Sequence, residues 1–433
     1  MSVAERNDTR DLMKYALILA QLAGALVVVY AFRIEDTGSG GRPFLLLMAG
    51  TFAAFAVHYW LPHAWKKPAF VIISLIGSYA LLDRFSATAL IACGLGFYAI
   101  LHLPIAYWLR AGIVAVIGIA CLYLRGDVLP WPEWNETAAA FWPVFGGLFM
   151  FRMMIYVYDL RQPKQAGGFM DYLTYFFILP NYYFLLFPVV DYQTMRSTYY
   201  SAEFHKQAQE GVRWIIRGLS QLMAYRLIYY WRPNLAPDDV ESFGELVLAM
   251  VMTYLLYLRL SGQYHLIIGT MHLFGFNLPE THRRFLLASS FTDFWRRINI
   301  YWKDFMVKMF YFPAFFRLRK YGEMKATALA TLLVFTLTWV LHSYQFYWLM
   351  GQWLLSWHDA LFWGILGALV LVNVLIETRA RPKSGAAAAR KPRPVVHGLK
   401  VAATFATIVT LWSLWYSPSV TQWIDTLTWW KAG

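Results

Sequence analysis

Apolar residues in this chain come in long runs separated by short polar breaks. Ala16–Ala31, Pro43–Leu61, Pro68–Leu82, Ala87–Leu103, Ile113–Leu124 and Ala138–Val157 follow one another along the first third. Leu173–Val190, Leu246–Leu258, Ala326–Trp357, Ala360–Ile376 and Leu399–Trp415 complete the series. A helix needs about 20 apolar residues to cross the hydrocarbon core, fewer where flanking side chains snorkel. The pattern predicts an all-α polytopic membrane protein with about ten to twelve transmembrane or partly embedded helices, because helices satisfy their own backbone in lipid.

The texture changes along the chain. Residues 1–137 read as about five plain supporting helices with few buried polar groups. In residues 138–378 the runs shorten, aromatics crowd together and basic residues interrupt them, as expected of walls around a chamber. Residues 379–400 form a basic loop, and 401–433 a last helix and tail. Glu203–Asn234, with Arg213, Arg217 and Arg226 on an apolar pattern, reads as a basic amphipathic helix rather than a full span. Phe291–Pro313 has the same character, and no fixed-period repeat is visible.

Composition agrees with a membrane chain. Of 433 residues, 59% are hydrophobic and only 15% charged, against roughly a quarter charged in soluble domains. The net charge of +13 does not imply nucleic acid, because the cations cluster in short loops, where orientation is written. Arg317–Lys325 and Arg379–Lys400 are both expected to be cytoplasmic, with a helical hairpin between them. Trp423, Trp429 and Trp430 in the tail suit the opposite interface. The N-terminus is polar and no small-residue cleavage site follows it, so no cleavable signal peptide is expected. Cys93 and Cys121 lie in apolar runs and read as packing residues, with no metal site expected.

One ionisable residue stands out. From Ala326 to His358 there is no Asp, Glu, Lys or Arg, and His342 lies in the middle of that run. A histidine at bilayer depth marks a functional site by default. Kept neutral by its apolar setting, its imidazole could act as general base toward a hydroxyl. The competing reading is a packing histidine bonded to a carbonyl. The stretch "FTDFWRRINIYWKDF" packs Asp293, Arg296, Arg297, Asn299, Lys303 and Asp304 among aromatics. Helical spacing puts Trp295, Asn299 and Trp302 on one face. Asn299 could stabilise an oxyanion or cap a helix, and the cations could grip phosphates or snorkel to headgroups. The HExxH, GxSxG and GxxxxGK[ST] signatures are missing.

These residues carry a resemblance. "FGFNLPE" (Phe274–Glu280) followed by "DFWRR" (Asp293–Arg297) resembles the signature block of the membrane-bound O-acyltransferase family. Phe151–Pro163, Glu210–Met223 and the stretch around His342 are similar to three further motifs in the family's order, so the likeness covers roughly residues 141–376. Its closest branch is the bacterial surface-polymer one, the alginate O-acetyltransferases and D-alanyl transfer proteins. The resemblance implies a ring of helices around a central funnel, with His342 and Asn299 catalytic and facing each other. Trp295, Arg296, Arg297, Trp302, Lys303, Ser343 and Tyr344 would contact donor or substrate. His342 would activate a hydroxyl of an exported or cell-surface glycan toward a cytoplasmic acyl thioester, acyl-CoA or an acylated carrier protein, with an acetyl or similar short group transferred. No bound cofactor is implied. Membrane lipids, and an accessory periplasmic or carrier protein, are the further partners expected in a bacterial inner membrane. Leu341 and Ser343 flank the histidine where the family usually has Trp and Gly. Asn299 replaces the histidine of the polymer branch and matches the lipid-acylating branches, so a lipid or lysophospholipid O-acyltransferase is the alternative. A transporter or a non-catalytic scaffold stays open as a reading from a different class.

Overall fold

The computed structural model describes residues 2–36, 42–126, 139–162, 167–186, 188–233, 235–236, 239–379 and 394–431. Among these the chain is helical throughout, with one isolated bridge between Tyr199 and Phe276. Eight helical stretches of the described residues are long and apolar enough to cross a membrane. The chain is therefore an all-α, multi-pass membrane protein. It divides into two compact units, each discontinuous in sequence. The basic segment 380–393 lies outside the described residues.

The first unit holds residues 1–223, 262–279 and 345–353. It begins with α1 (Val3–Asn7), α2 (Leu12–Ala31), α3 (Pro43–His58), α4 (His63–Leu81), α5 (Arg84–Leu101) and α6 (Tyr107–Arg125). Asp11 starts α2 by accepting the Lys14 amide at 3.1 Å, a side-chain N-cap. Only 11% of the apolar window of α6 is buried, whereas 69% is in α7 (Phe141–Asp159). α7 is thus the central helix here, and α6 presents most of its surface to lipid. Gly146 of α7 lets Trp348 lie directly on its backbone, since a Cβ there would fall inside the indole.

Two sequence expectations fail in this unit. Leu173–Val190 is not a span: it folds as α8 (Phe169–Phe176) and a short 3-10 turn at Leu179–Tyr182, and its described residues beyond that turn are non-helical up to α9 (Tyr192–Ser197). Most of this stretch is buried, which is what tolerates irregular backbone at such depth. The N-terminal helices also bury more polarity than expected. Lys66 is wholly buried, with its ammonium 2.6 Å from Asp8 and against the rings of Tyr200 and Phe204. His63 meets the same carboxylate at 3.2 Å. A buried ammonium needs such a partner, and the polar N-terminal segment supplies it.

α10 (Phe204–Trp231) and α12 (Leu258–Leu273) approach through glycines. A Cβ on Gly211 would meet the Gly269 carbonyl at 2.7 Å, and one on Gly218 the Gly262 carbonyl at 2.7 Å. Small residues of this kind let two membrane helices pack backbone to backbone.

The second unit holds residues 224–261, 280–344 and 354–433. Its helices are α11 (Phe243–Leu255), α13 (Phe291–Arg297), α14 (Ile300–Met306), α15 (Phe312–Leu318), most of α16 (Glu323–Met350), α17 (Trp357–Arg379), α18 (Pro394–Tyr416) and α19 (Val420–Leu427). α11 packs on α18, α18 on α17, and α17 on α13. Tyr254, Tyr257, Trp412 and Phe285 form an aromatic cluster here.

Candidate functional site

The stretch that carries Asn299 is not one helix. Backbone continuity breaks between α13 and α14, with Ile298 extended and Asn299 at φ 39°. Asparagine is among the few non-glycine residues that occupy this left-handed region readily. Its Oδ1 then caps α14 by accepting the Trp302 amide at 3.3 Å. The single helical face expected for Trp295, Asn299 and Trp302 is therefore absent, because the cap replaces a helical turn.

The break is held from the Thr281–Arg283 segment. The Arg283 amide donates to the Arg297 carbonyl at 2.9 Å, and the Ile300 amide to Thr281 at 2.8 Å. His282 is buried, its Nε2 paired with the Tyr257 hydroxyl at 2.9 Å. On the other side, Asn373 of α17 accepts the Phe291 amide at 2.8 Å. The chain after Pro279 thus serves to position the Trp-rich turn.

Both tryptophans reach one stripe of α16. Trp295 packs on Phe335, centroids 4.6 Å apart. Trp302 donates its Nε1 to the Thr338 hydroxyl at 3.4 Å and lies edge-on to His342 at 4.7 Å. Positions 331, 334, 335 and 338 are the buried face of α16, and 342 continues it by i+4. His342 is enclosed further by Trp363 at 4.8 Å and Trp415 at 6.4 Å. Trp415 is fixed by stacking on Phe362 at 4.7 Å and by donating Nε1 to Asp359 at 2.6 Å. Asp359 in turn takes the Ser356 hydroxyl.

The imidazole has a defined tautomer. Nδ1 lies 2.8 Å from the Thr338 carbonyl. A carbonyl only accepts, so Nδ1 carries the proton and donates. In the neutral ring this leaves Nε2 with its lone pair, and Nε2 makes no hydrogen bond among the described residues. As a residue, His342 is half-buried. It is an acceptor held ready, oriented by an intrahelical bond on its far side.

The other sequence candidates divide. Arg296 is exposed and pairs with Glu377 at 3.4 Å, Arg297 with Asp293 at 2.7 Å, and Lys303 with Asp304 at 2.6 Å. Each expected phosphate-gripping cation thus has a carboxylate partner. Ser343 is buried with an unpartnered hydroxyl, about 100° around the helix from His342. Tyr344 is partly exposed one step further. No hydrogen bond joins Asn299 to His342; Trp302 connects them, bound to the first through its backbone and touching the second with its ring.

Sequence reading missed Thr338, Trp363, Trp415, Asp359 and Asn373. The i−4 spacing of Thr338 from His342 was a usable signal, whereas the α17 and α18 residues are joined to the histidine only by tertiary packing. Among the described residues no group of His, Cys, Asp and Glu side chains is placed to hold a metal ion. Compared with known proteins, the chain matches no family model and no curated protein sequence.

Proposed function

We propose that the chain is a membrane-embedded O-acyltransferase of the membrane-bound O-acyltransferase type, with His342 as general base. The observation that supports this reading is the tautomer: Nδ1 is occupied by the Thr338 carbonyl, and Nε2 is an unengaged acceptor within an indole cage. In the proposed step Nε2 takes the proton of an acceptor hydroxyl while its oxygen attacks a thioester carbonyl. The C–S bond then breaks, and the leaving thiolate takes the proton from the imidazolium. Asn299 Nδ2, with no partner among the described residues, would serve as the amide donor from the Trp302 turn to the developing oxyanion. The donor is a cytoplasmic acyl thioester. The acceptor is a hydroxyl of an exported glycan at a bacterial inner membrane. Asparagine at position 299 favours a second reading, in which a lipid hydroxyl accepts the group.

The test is acyl transfer by purified protein in nanodiscs, with radiolabelled acetyl-CoA and either oligosaccharide or lysophospholipid acceptors. His342→Ala and His342→Gln are each expected to lower transfer by about 10²–10⁴-fold, with unchanged chromatographic behaviour. Transfer retained in both variants removes His342 from the role. The preferred acceptor decides between glycan and lipid.

A further inference from the structure

The helical run that begins with α14 does not stop at Met306. It passes through a π-helical turn at Val307–Tyr311 into α15 and a 3-10 turn at Arg319–Tyr321, and enters α16 after Gly322. None of the residues 307–325 is buried. Tyr311 stacks on Phe315 at 5.9 Å, and Phe312 on Phe316 at 6.0 Å. These rings share one stripe of the helix, and Phe312 and Phe316 are 48% and 64% exposed.

The depth of this segment is readable from α16. Its run without Asp, Glu, Lys or Arg starts at Ala326, so Lys325 marks the edge of the hydrocarbon core. The residues just before it lie where headgroups meet acyl chains, the level at which amphipathic helices rest. Lipid therefore covers the aromatic stripe, and what the segment can select is the charge of the headgroup.

That charge follows from a count of the ionised groups. Arg317, Arg319, Lys320 and Lys325 are exposed, and none forms an ion pair among the described residues. Glu323 is the only carboxylate between Phe305 and Lys325. Gly367 faces Phe335 across the α16–α17 hairpin, so the end of α17 lies beside the start of α16. It contributes Arg379 and Glu377, and Glu377 is held by Arg296 at 3.4 Å. The nearest carboxylates on α13 and α14, Asp293 and Asp304, are held by Arg297 and Lys303. Arg296, Arg317, Arg319, Lys320, Lys325 and Arg379 thus stand against Glu323 and Glu377 alone. An excess of cations beside a span, at headgroup level, attracts anionic lipid.

We propose that the α15–α16 junction is an interfacial anchor that gathers anionic phospholipids. Their phosphodiesters lie on Arg317, Arg319, Lys320 and Lys325, and their first methylenes on the aromatic stripe. The site does not depend on the reading of His342.

The test is local quenching in nanodiscs made from the whole chain. A bimane label is placed on Met324→Cys, 43% exposed beside the cations, after Cys93 and Cys121 are replaced by alanine. Spin-labelled phosphatidylglycerol and spin-labelled phosphatidylcholine are the quenchers, at equal mole fraction in a phosphatidylcholine host. Phosphatidylglycerol is expected to quench about threefold more strongly. The same label on Leu355→Cys, at the far turn of the hairpin, is expected to show no preference. Arg317→Gln/Arg319→Gln/Lys320→Gln is expected to bring the two quenchers to parity at Met324→Cys. About 0.5 M KCl is expected to do the same in the unaltered cation set, a measurement that needs no variant of the patch to fold. Equal quenching by the two lipids at Met324→Cys, or a preference that survives the salt, overturns the proposal. Quenching by neither lipid, the outcome for a surface that receives an acidic protein instead, overturns it as well.

Discussion

At the residue scale, Asn299 carries two demands that separate by mutation. Its left-handed backbone and its cap on α14 both place Trp302, and through Trp302 the edge of the cage around His342. Aspartate keeps the capping oxygen and tolerates the same backbone region, so Asn299→Asp is expected to stay within about 0.5 kcal/mol of parent stability. Alanine loses the cap and meets the strained φ, so Asn299→Ala is expected to lose about 1–2 kcal/mol. Reversible unfolding in mixed micelles measures both. Activity then separates the roles. If the Asn299 amide donates to an oxyanion, Asn299→Asp loses transfer while remaining as stable as the parent. If Asn299 only holds Trp302, Asn299→Asp keeps both. Thr338 has a related double part: its carbonyl fixes the imidazole tautomer, while its hydroxyl receives Trp302 and donates to the Val334 carbonyl at 2.8 Å.

At the element scale, the glycine pairs make the clearest prediction. Gly211 and Gly218 on α10, like Gly262 and Gly269 on α12, are seven residues apart, and they meet in antiparallel order. Gly218→Ala and Gly269→Ala would each push a methyl group into a facing carbonyl near 2.7 Å, so each is expected to lose about 1–3 kcal/mol. Gly24→Ala and Gly50→Ala meet nothing within 4 Å and are expected to be neutral or slightly stabilising. Equal thermal shifts in the two sets would refute the close crossing. The long helices were legible in the sequence because length is a local property, whereas the paired glycines of α10 and α12 went unread because only the tertiary crossing joins them. His342 was legible for the same reason as the helices, as a histidine in the middle of a run without Asp, Glu, Lys or Arg. Leu173–Val190 misled because composition says that a segment is buried without saying whether lipid or protein covers it. Lys66 in α4 escaped notice because its partner, Asp8, is 58 positions away. The break at Asn299 has no Gly or Pro to announce it; the only local sign was an asparagine three residues before the amide that it caps.

At the scale of the whole molecule, the remaining question is which way the chain faces the membrane. α16 has 28 residues and α17 has 23, so they run to about 42 and 35 Å, each longer than the roughly 30 Å hydrocarbon core. They are joined by a short turn around Gly351, where φ is 78°. Trp353, Leu354, Leu355 and Trp357 are all exposed at that turn, as expected of an aromatic belt at an interface. A hairpin of this length returns to the side from which it rose. Arg317, Arg319 and Lys320 precede α16, Lys325 lies in its first turn, and Arg379 ends α17, so the cations lie at the open ends and the tryptophans at the turn. The positive-inside bias then predicts that the open ends face the cytoplasm. After replacement of Cys93 and Cys121 by alanine, Lys320→Cys is expected to react with an impermeant maleimide only in inside-out vesicles. Trp357→Cys, 83% exposed at the turn, is expected to react only in right-side-out vesicles. The reverse pattern would place the thioester side of the proposed reaction outside the cell, where acyl-CoA is not supplied, and would count against a cytoplasmic donor even if His342 proved essential.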